Sequence, residues 1–386
     1  MKKFFPLTIY LLFYFLTQEQ EIHAYPNFIG HGYSSCMVCH FNPTGNGPLT
    51  DYGRVIAATA IAGKDFYSSS VKDEALAEYS SFFISTPSSS NFKPSFKTRW
   101  VHYRQNFLDQ NEKRESILMQ ATAQLVWNGG QNKQWILAAD FGYAPDPRAR
   151  INQTEENYRT REHYIGYRFK NNTGIYLGLM DKPFGIKVPE HTAFSRSLTS
   201  NTMNDQVHGI LWHGIYSKVE VFAQAFIGNL AQRSELQTQG GAGLLEYFWS
   251  EKTRLGFSLL YSQTNYLERQ AAALHLRKSF TQGSSLLAEI GLVKKLPDQG
   301  ADVNSQYSFL QSSTPLRRGL NWLNTFEYTK PSSDQSDYII RFGPSLQYIP
   351  IQRIEFRFDI LNSRYYQSTS VSEDQLYAIG QIHIWL

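Results

Sequence analysis

Residues 353–361 read RIEFRFDIL. Successive side chains of an extended strand point to opposite faces. Ile354, Phe356, Phe358 and Ile360 therefore share one side, and Arg353, Glu355, Arg357 and Asp359 share the other. One face is wholly apolar and the other wholly charged. Such a strand separates lipid from water, with its charges on the wet side. A soluble sheet could carry the pattern once, but here it recurs. In KVEVFAQAFI (218–227), Val219, Val221, Ala223 and Ala225 oppose Glu220 and Gln224. In SLLAEIGLV (285–293), Leu286, Ala288, Ile290 and Leu292 oppose Glu289. GIYLGLM (174–180) and QLYAIGQIHIWL (375–386) repeat the period, with Ile175, Leu177 and Leu179 on one face of the first and Leu376, Ala378, Ile382, Ile384 and Leu386 on one face of the second.

Composition points the same way. The chain is 42% hydrophobic yet 15% aromatic, with 24 Tyr and 26 Phe. Membrane barrels need this balance, since half of each strand meets lipid and aromatic girdles mark both interfaces. Beyond the N-terminus no apolar run approaches the roughly 20 residues of a spanning helix, which excludes a helical membrane protein. The net charge of +4 comes without a basic cluster, so nucleic acid is not an expected partner.

The connections alternate in length. Short ones occur at 128–133, 171–174, 216–218, 249–253, 281–284 and 348–352, and long polar ones at 145–157, 180–205, 229–239, 295–304 and 362–374. Short periplasmic turns and longer external loops are the rhythm of outer-membrane barrels. With both ends on the periplasmic side the strand count is even. Taking SQYSFLQSST (305–314) as a strand before a turn at PLRRG (315–319) gives about sixteen. The expected fold is all-β, a transmembrane antiparallel β-barrel over 92–386, with outer-membrane lipid as its partner.

The N-terminus opens with Lys2 and Lys3, an apolar run Phe4–Leu16, a polar patch and Ile22-His23-Ala24. That order predicts a secretory signal peptide over 1–24, its apolar core too short to span a bilayer. Residues 25–91 lack alternation and form a small segment of their own. Thr50 or Asp51 is placed to cap a helix that Gly63 ends, and VKDEALAEYSSFF (71–83) offers a second. STPSSSN (85–91) reads as a linker into a first strand near Phe92. So small a segment builds little core of its own, which leaves something else to hold it.

The only two cysteines, Cys36 and Cys39, stand in SSCMVCHFNPTGNG (34–47) with His40 directly behind. C-x-x-C-H is the attachment signature of c-type haem. Two thiols on one short loop add to the two porphyrin vinyl groups, and the adjoining imidazole reaches iron from below. Three other readings compete. A thioredoxin-like pair needs a βαβ setting, a tetrahedral zinc site needs four ligands, and a plain disulfide needs no His40. Pro43, three residues on, brings a backbone carbonyl within reach of the proximal imidazole N–H, a bond that fixes the tautomer. Gly45 and Gly47 permit a tight turn at the macrocycle edge.

The span GHGYSSCMVCHFNPTGNGPLTDYGR (30–54) resembles the haem-attachment segment of a family of bacterial outer-membrane β-barrel proteins, which carry C-x-x-C-H, then N-P and a glycine cluster, then an L-T-x-Y-G-R-like run. Asn46 interrupts the glycine run here. The resemblance implies one covalent haem c on Cys36, Cys39 and His40 beside an outer-membrane barrel, and it names no substrate.

The sixth iron ligand stays open at this level. His31 is the expected candidate, as a residue that loops over the opposite face, with a solvated loop residue as its alternative. Met37 is badly placed inside the attachment loop. Met119, Met180 and Met203 require the haem to sit within the lumen. His208 and His213, five apart on a strand, point to opposite faces, and His102, His163, His275 and His383 read as ordinary lumen or interface residues.

The function these features predict is a monohaem outer-membrane cytochrome, not an enzyme, that transfers electrons at the periplasmic face or mouth of the barrel. It would exchange with a periplasmic or extracellular redox partner or a small mediator. The alternatives are a porin-like channel whose haem segment is a plug or staple, and a haem peroxidase or sensor. Oligomeric state is not legible.

Overall fold

The structure is a computed structural model that describes residues 29–31, 35–45, 47–80, 91–106, 112–143, 158–190, 192–280, 283–332, 336–367 and 373–386. The predicted signal peptide, and all but the last residue of the predicted linker, lie outside the described residues.

The strands form one closed antiparallel sheet. They are β1 (Phe92–Gln105), β2 (Lys113–Gly129), β3 (Trp135–Tyr143) and β4, which is interrupted (Tyr158–Arg159 and His163–Arg168). Next come β5 (Thr173–Met180), β6 (Val207–Ile215), β7 (Val219–Phe226) and β8 (Gln239–Ser250). The second half comprises β9 (Thr253–Gln263), β10 (Leu267–Ser279), β11 (Ser285–Pro297) and β12 (Val303–Arg317). The last four are β13 (Leu320–Lys330), β14 (Tyr338–Ile351), β15 (Ile354–Tyr366) and β16 (Glu373–Trp385). Both pieces of β4 pair with β3, so they count as one strand of sixteen. Each strand pairs with its sequence neighbours, and β1 pairs with β16 from Lys97↔Trp385 to Gln105↔Tyr377. Closure removes the sheet edges, as lipid requires, because an unpaired backbone group there costs several kcal/mol.

The expected faces are the observed ones. On β15, Phe356, Phe358 and Ile360 are exposed while Arg357 and Asp359 are buried. On β11, Ile290 and Leu292 face out while Glu289 is buried. Exposed Trp135, Phe169, Tyr216, Trp249 and Trp322 ring the end with the short turns, and Phe141, Tyr158, Tyr261 and Tyr266 ring the other. These are the two aromatic girdles of a membrane barrel. No described helix is long and apolar enough to cross a membrane. The segment 305–314 is a strand, the core of β12.

Three loop readings need correction. The 295–304 connection shrinks because β11 runs to Pro297 and β12 starts at Val303, and the 362–374 connection because β15 runs to Tyr366 and β16 starts at Glu373. The stretch 180–205, expected as an external loop, turns inward across the lumen. Phe184, Ile186, Val188 and Ala193 are buried there against inner-face residues such as Leu287, Tyr307 and Phe309. Its polar groups are met from several strands. Gly185 N–H donates to Ser258 Oγ (3.0 Å), Phe194 N–H to Glu327 Oε1 (2.8 Å), and Arg341 Nη2 to the Thr192 carbonyl (2.6 Å). A short helix, Phe194–Thr199, sits within it.

The N-terminal segment carries helices in both expected stretches and one further turn ahead of them. α1 is the single turn Cys36–Cys39. α2 (Asp51–Ile56) is capped by Thr50, whose Oγ1 accepts from Gly53 N–H at 3.0 Å, a typical N-cap bond. A π-helical turn, Ala57–Ile61, continues it to Ala62. α3 is Asp73–Glu78. Residues 51–80 lie against the short-turn end of the barrel. There Gly63 N–H donates to the Ile349 carbonyl (2.7 Å), Arg318 donates to the carbonyls of Ala58 and Ala62, and Lys93 pairs with Asp51 (2.7 Å).

Leu292, 64% exposed in the middle of β11, tests the lipid face. Leu292→Arg should lower unfolding free energy in vesicles by about 2–4 kcal/mol, the midplane penalty for a charge. Asp298→Arg, in the adjoining loop, should stay within about 0.5 kcal/mol. Urea titration checks both.

Candidate functional site

Residues 35–45 and 47–48 run inside the barrel. Their seat begins with α1, whose Ser35 Oγ donates to Glu220 Oε1 at 2.8 Å. Glu220, inward on β7, also takes Arg254 Nη1 (2.6 Å) and His213 Nε2 (2.9 Å). Arg254 reaches on to Glu246 (3.0 Å), which is further paired with His275 (2.8 Å) and Arg277. All these acids are nearly fully buried. Charges so buried persist only when each is paired and hydrogen-bonded, so Ser35 enters a network already set by the wall.

Past α1 the chain doubles back through an isolated bridge between His40 and Leu49. Thr50 N–H donates to the Cys39 carbonyl (2.8 Å) and Phe41 N–H to the Pro48 carbonyl (3.2 Å). Asn42 closes the tip, its Oδ1 accepting from Thr44 N–H (3.0 Å) and Oγ1 (2.9 Å), while its amide donates to Glu162. Phe41 inserts among Val126, Ile136, Tyr164, Tyr176, Leu211 and Phe222, all on the inner wall. Arg168 Nη2 donates to the Phe41 carbonyl at 2.7 Å.

Gly45 and Gly47 both take left-handed turn positions. Gly45 has φ +77°, and a Cβ there would stand 3.0 Å from Cys36 Sγ. Gly47 has φ +64°, with its carbonyl taking Lys97 Nζ at 2.7 Å, and a Cβ would fall 2.1 Å from Glu162 Oε2. The left-handed conformation and the missing side chain are both required.

Cys36, Cys39 and His40 line one cavity of about 240 Å³ between this segment and the 181–206 stretch. Its walls carry Lys97, Arg99, Arg161, Lys187 and Arg196 against Asp140, Glu162 and Asp181. Met203, Val188, Pro189 and His383 are also in the lining. Both thiols are free, not joined in a disulfide. Burial pushes the Cys36 thiol up. Burial and then Cys36 itself push Cys39 up to about 12. A redox-active C-x-x-C needs the opposite, a thiol pKa lowered toward neutrality. Pro43 is buried in the turn beyond His40.

The structure thus brings Cys36, Cys39 and His40 together at one cavity, whose lining includes neither Pro43 nor His31. His31 lies toward the short turn after β10, where a Cβ at Gly283 would meet its Nε2 at 3.4 Å, and Gly283 N–H donates to the Gly30 carbonyl (2.6 Å). Burial and the Arg318 charge hold its pKa below the usual value. Met37 Sδ instead lies 3.9 Å from Tyr176 Oη. His213 points inward to Glu220, whereas His208 meets His163 (Nε2 to Nε2, 3.1 Å). Lys97, Arg161 and Arg196 were not singled out by sequence, and Met203 was named only as one of three methionines that require a luminal haem. Their signal was the 180–205 stretch itself, whose apolar Phe184, Ile186 and Val188 have no place in a solvated loop.

No protein-family model matches the chain, and no curated protein matches it. Solved structures of similar fold include an anion-selective porin from Comamonas acidovorans, with TM-score 0.59, 9% identity, and coverage of 77% of this chain and 100% of that one. OmpT, an outer-membrane protein of Vibrio cholerae, aligns at TM-score 0.60 and 7% identity over 78% of this chain and 99% of its own. The outer-membrane channel DcaP of Acinetobacter baumannii aligns at 0.56 and 11% over 76% and 97%. At such identities the likeness shows the fold, a porin-like barrel, and it supports an outer-membrane location.

Gly47→Ala tests the seat of the segment. Moving a non-glycine residue into the left-handed region costs about 1–2 kcal/mol before the contact with Glu162. Limited proteolysis should cut within 35–50 several-fold faster, while the barrel keeps its heat-dependent gel shift. Unchanged cutting would mean that the segment is held elsewhere.

Proposed function

We propose that this chain is a porin-like outer-membrane barrel whose N-terminal segment is a luminal plug carrying one covalent c-type haem, and that the haem moves electrons between the periplasmic mouth and the barrel interior. The observation that carries the reading is the meeting of Cys36, Cys39 and His40 in one cavity inside the lumen. This favours the plug arrangement over a cytochrome appended to a mouth, while the porin-like neighbours support the barrel alone.

The residues fit the group. Two free thiols three apart on a helical turn match two vinyl attachment points, and His40 supplies an imidazole. The space beside Cys36 Sγ exists because residue 45 is glycine. Lys97, Arg99, Arg161, Lys187 and Arg196 outnumber the three carboxylates of the lining, which suits the two propionates of a haem. Bound there, the group would supply one-electron exchange at iron, its potential tuned by axial ligands, burial and nearby charge. The chain's own part is to exclude bulk water, hold the macrocycle's charge and fix its place along the barrel axis. An apolar band about 25 Å tall exceeds what one haem bridges, so a partner or small mediator entering from the far mouth completes the path.

Protein matured with the haem-attachment machinery should stain for haem after denaturation and cycle reversibly between oxidised and reduced spectra. Replacing both Cys36 and Cys39 by Ala should abolish the stain while the barrel still folds. An unstained wild type would leave a porin-like channel with a purely structural plug.

A further inference from the structure

We infer that the long-loop mouth of the barrel holds a binding site for a small oxyanion of the phosphate class, built by Arg269 and Lys295. The two residues stand directly opposite each other where β10 pairs with β11. Arg269 lies near the start of β10 and Lys295 near the end of β11, both at the long-loop end. Both face the lumen, since Ala271 and Ala273 on β10, and Val293 and Glu289 on β11, continue the same alternate positions and are buried on the inner wall. Like charges directly opposite on neighbouring strands destabilise a sheet, and at about 4.5–5.5 Å between Cβ atoms one doubly charged group can touch both.

The chain supplies no counter-charge to this pair. The charged group acting on Lys295 is Arg269, another cation, and the one acting on Arg269 is Asp205. Asp205 is engaged in its own turn, where Oδ2 accepts from Thr202 N–H (2.8 Å) and Thr202 Oγ1 (2.6 Å). Lys182, buried and within electrostatic reach of Arg269, adds a third positive charge, and its Nζ donates to the Asp205 backbone carbonyl (2.6 Å). Of the other acids near this end, Asp302 pairs with Lys294 (3.0 Å), Glu268 accepts from Gln270 Nε2 (2.7 Å), and Asp298 is exposed in its loop. Arg269 Nε is buried without a hydrogen-bond partner among the described residues. Buried donors and charges of this kind are stable when a partner completes them. A guanidinium fork and an ammonium group together match the oxygens of a phosphate. Because the pair faces the lumen while Gln270 and Lys294 take the outer face, the anion arrives as a solute and not as a lipid headgroup. Cations gathered at a mouth also raise the local concentration of anions. On the electron path proposed above, the small mediator entering here is therefore an anion; that step rests on the haem reading, whereas the binding site does not.

The test titrates inorganic phosphate into full-length protein in detergent, in chloride buffer, by calorimetry. Wild type should bind saturably and one-to-one, more weakly as salt is raised. Arg269→Gln and Lys295→Gln should each weaken binding about tenfold, the scale of one charge-assisted hydrogen bond, and Lys295→Arg should keep it. Lys294→Gln, which removes the same charge from the outer face of the same strand, should leave binding unchanged. Phosphate should also raise the urea midpoint of wild type but not that of the double variant Arg269→Gln with Lys295→Gln, and the heat-dependent gel shift reports that each variant has folded. On haem-stained protein, a sulfonated quinol should reduce the haem several-fold more slowly in the double variant, and an uncharged quinol at the same rate. No saturable phosphate binding, or equal loss in Lys294→Gln and Lys295→Gln, overturns the site. Equal slowing of both quinols overturns the anionic mediator. Protein without haem stain that still binds phosphate removes the electron path and keeps the site, whereas stained protein that ignores phosphate removes the site alone.

Discussion

The structure depends on one constraint: in lipid, no backbone N–H or C=O can be left unbonded. The β1–β16 ladder meets it by joining the first strand to the last. Closure turns an inner face into a bounded interior, and what happens there follows from its size. A sixteen-strand barrel is too wide for its own side chains to fill. Here two stretches of chain enter it, the N-terminal segment through α1 and the 181–206 stretch between β5 and β6.

Their entry changes the electrostatics of the wall. Glu220, Glu246, Glu289, Glu327 and Asp359 would sit in water in an open pore, but here they are buried. Each is met by a cation, a backbone N–H or a hydroxyl, as with Arg341 on Glu327 and Tyr307 on Glu289. Breaking one side of such a pair costs several kcal/mol, whereas the intact pair adds little net stability. Their contribution is therefore to position. Ser35 on Glu220, Asn42 on Glu162 and Glu190 on Arg357 fix where the inner segments rest, and with them where the cavity opens.

The barrel was legible because lipid imposes a strict period of two, and the alternation of RIEFRFDIL recurs along the chain. A first strand near Phe92 was equally plain, and Thr50 was one of two cap candidates beside Asp51. Less plain was the interior. Phe222, Leu287 and Phe309 face inward and blur the alternation on their strands. They are apolar because Phe41 and Ile186 cover them, so each is a trace of a tenant that sequence alone does not name. The 180–205 stretch was read as an external loop by its length and polarity, and its inward turn depends on bonds to strands over a hundred residues away, such as Gln311 to Glu190. For the site, local spacing brought out Cys36, Cys39 and His40. The rest of the cavity lining is set by that long-range fold, and nearness in sequence did not bring His31 to it.

The account holds that the C-x-x-C-H segment is a haem-bearing plug inside a porin-like barrel. An experimental density map of the full chain, purified from outer membranes in detergent, tests this most directly. It should show a macrocycle bonded to both Cys36 Sγ and Cys39 Sγ within the lumen, beneath the 181–206 stretch. A cystine between the two sulfurs, or the segment lying outside the barrel, would contradict it.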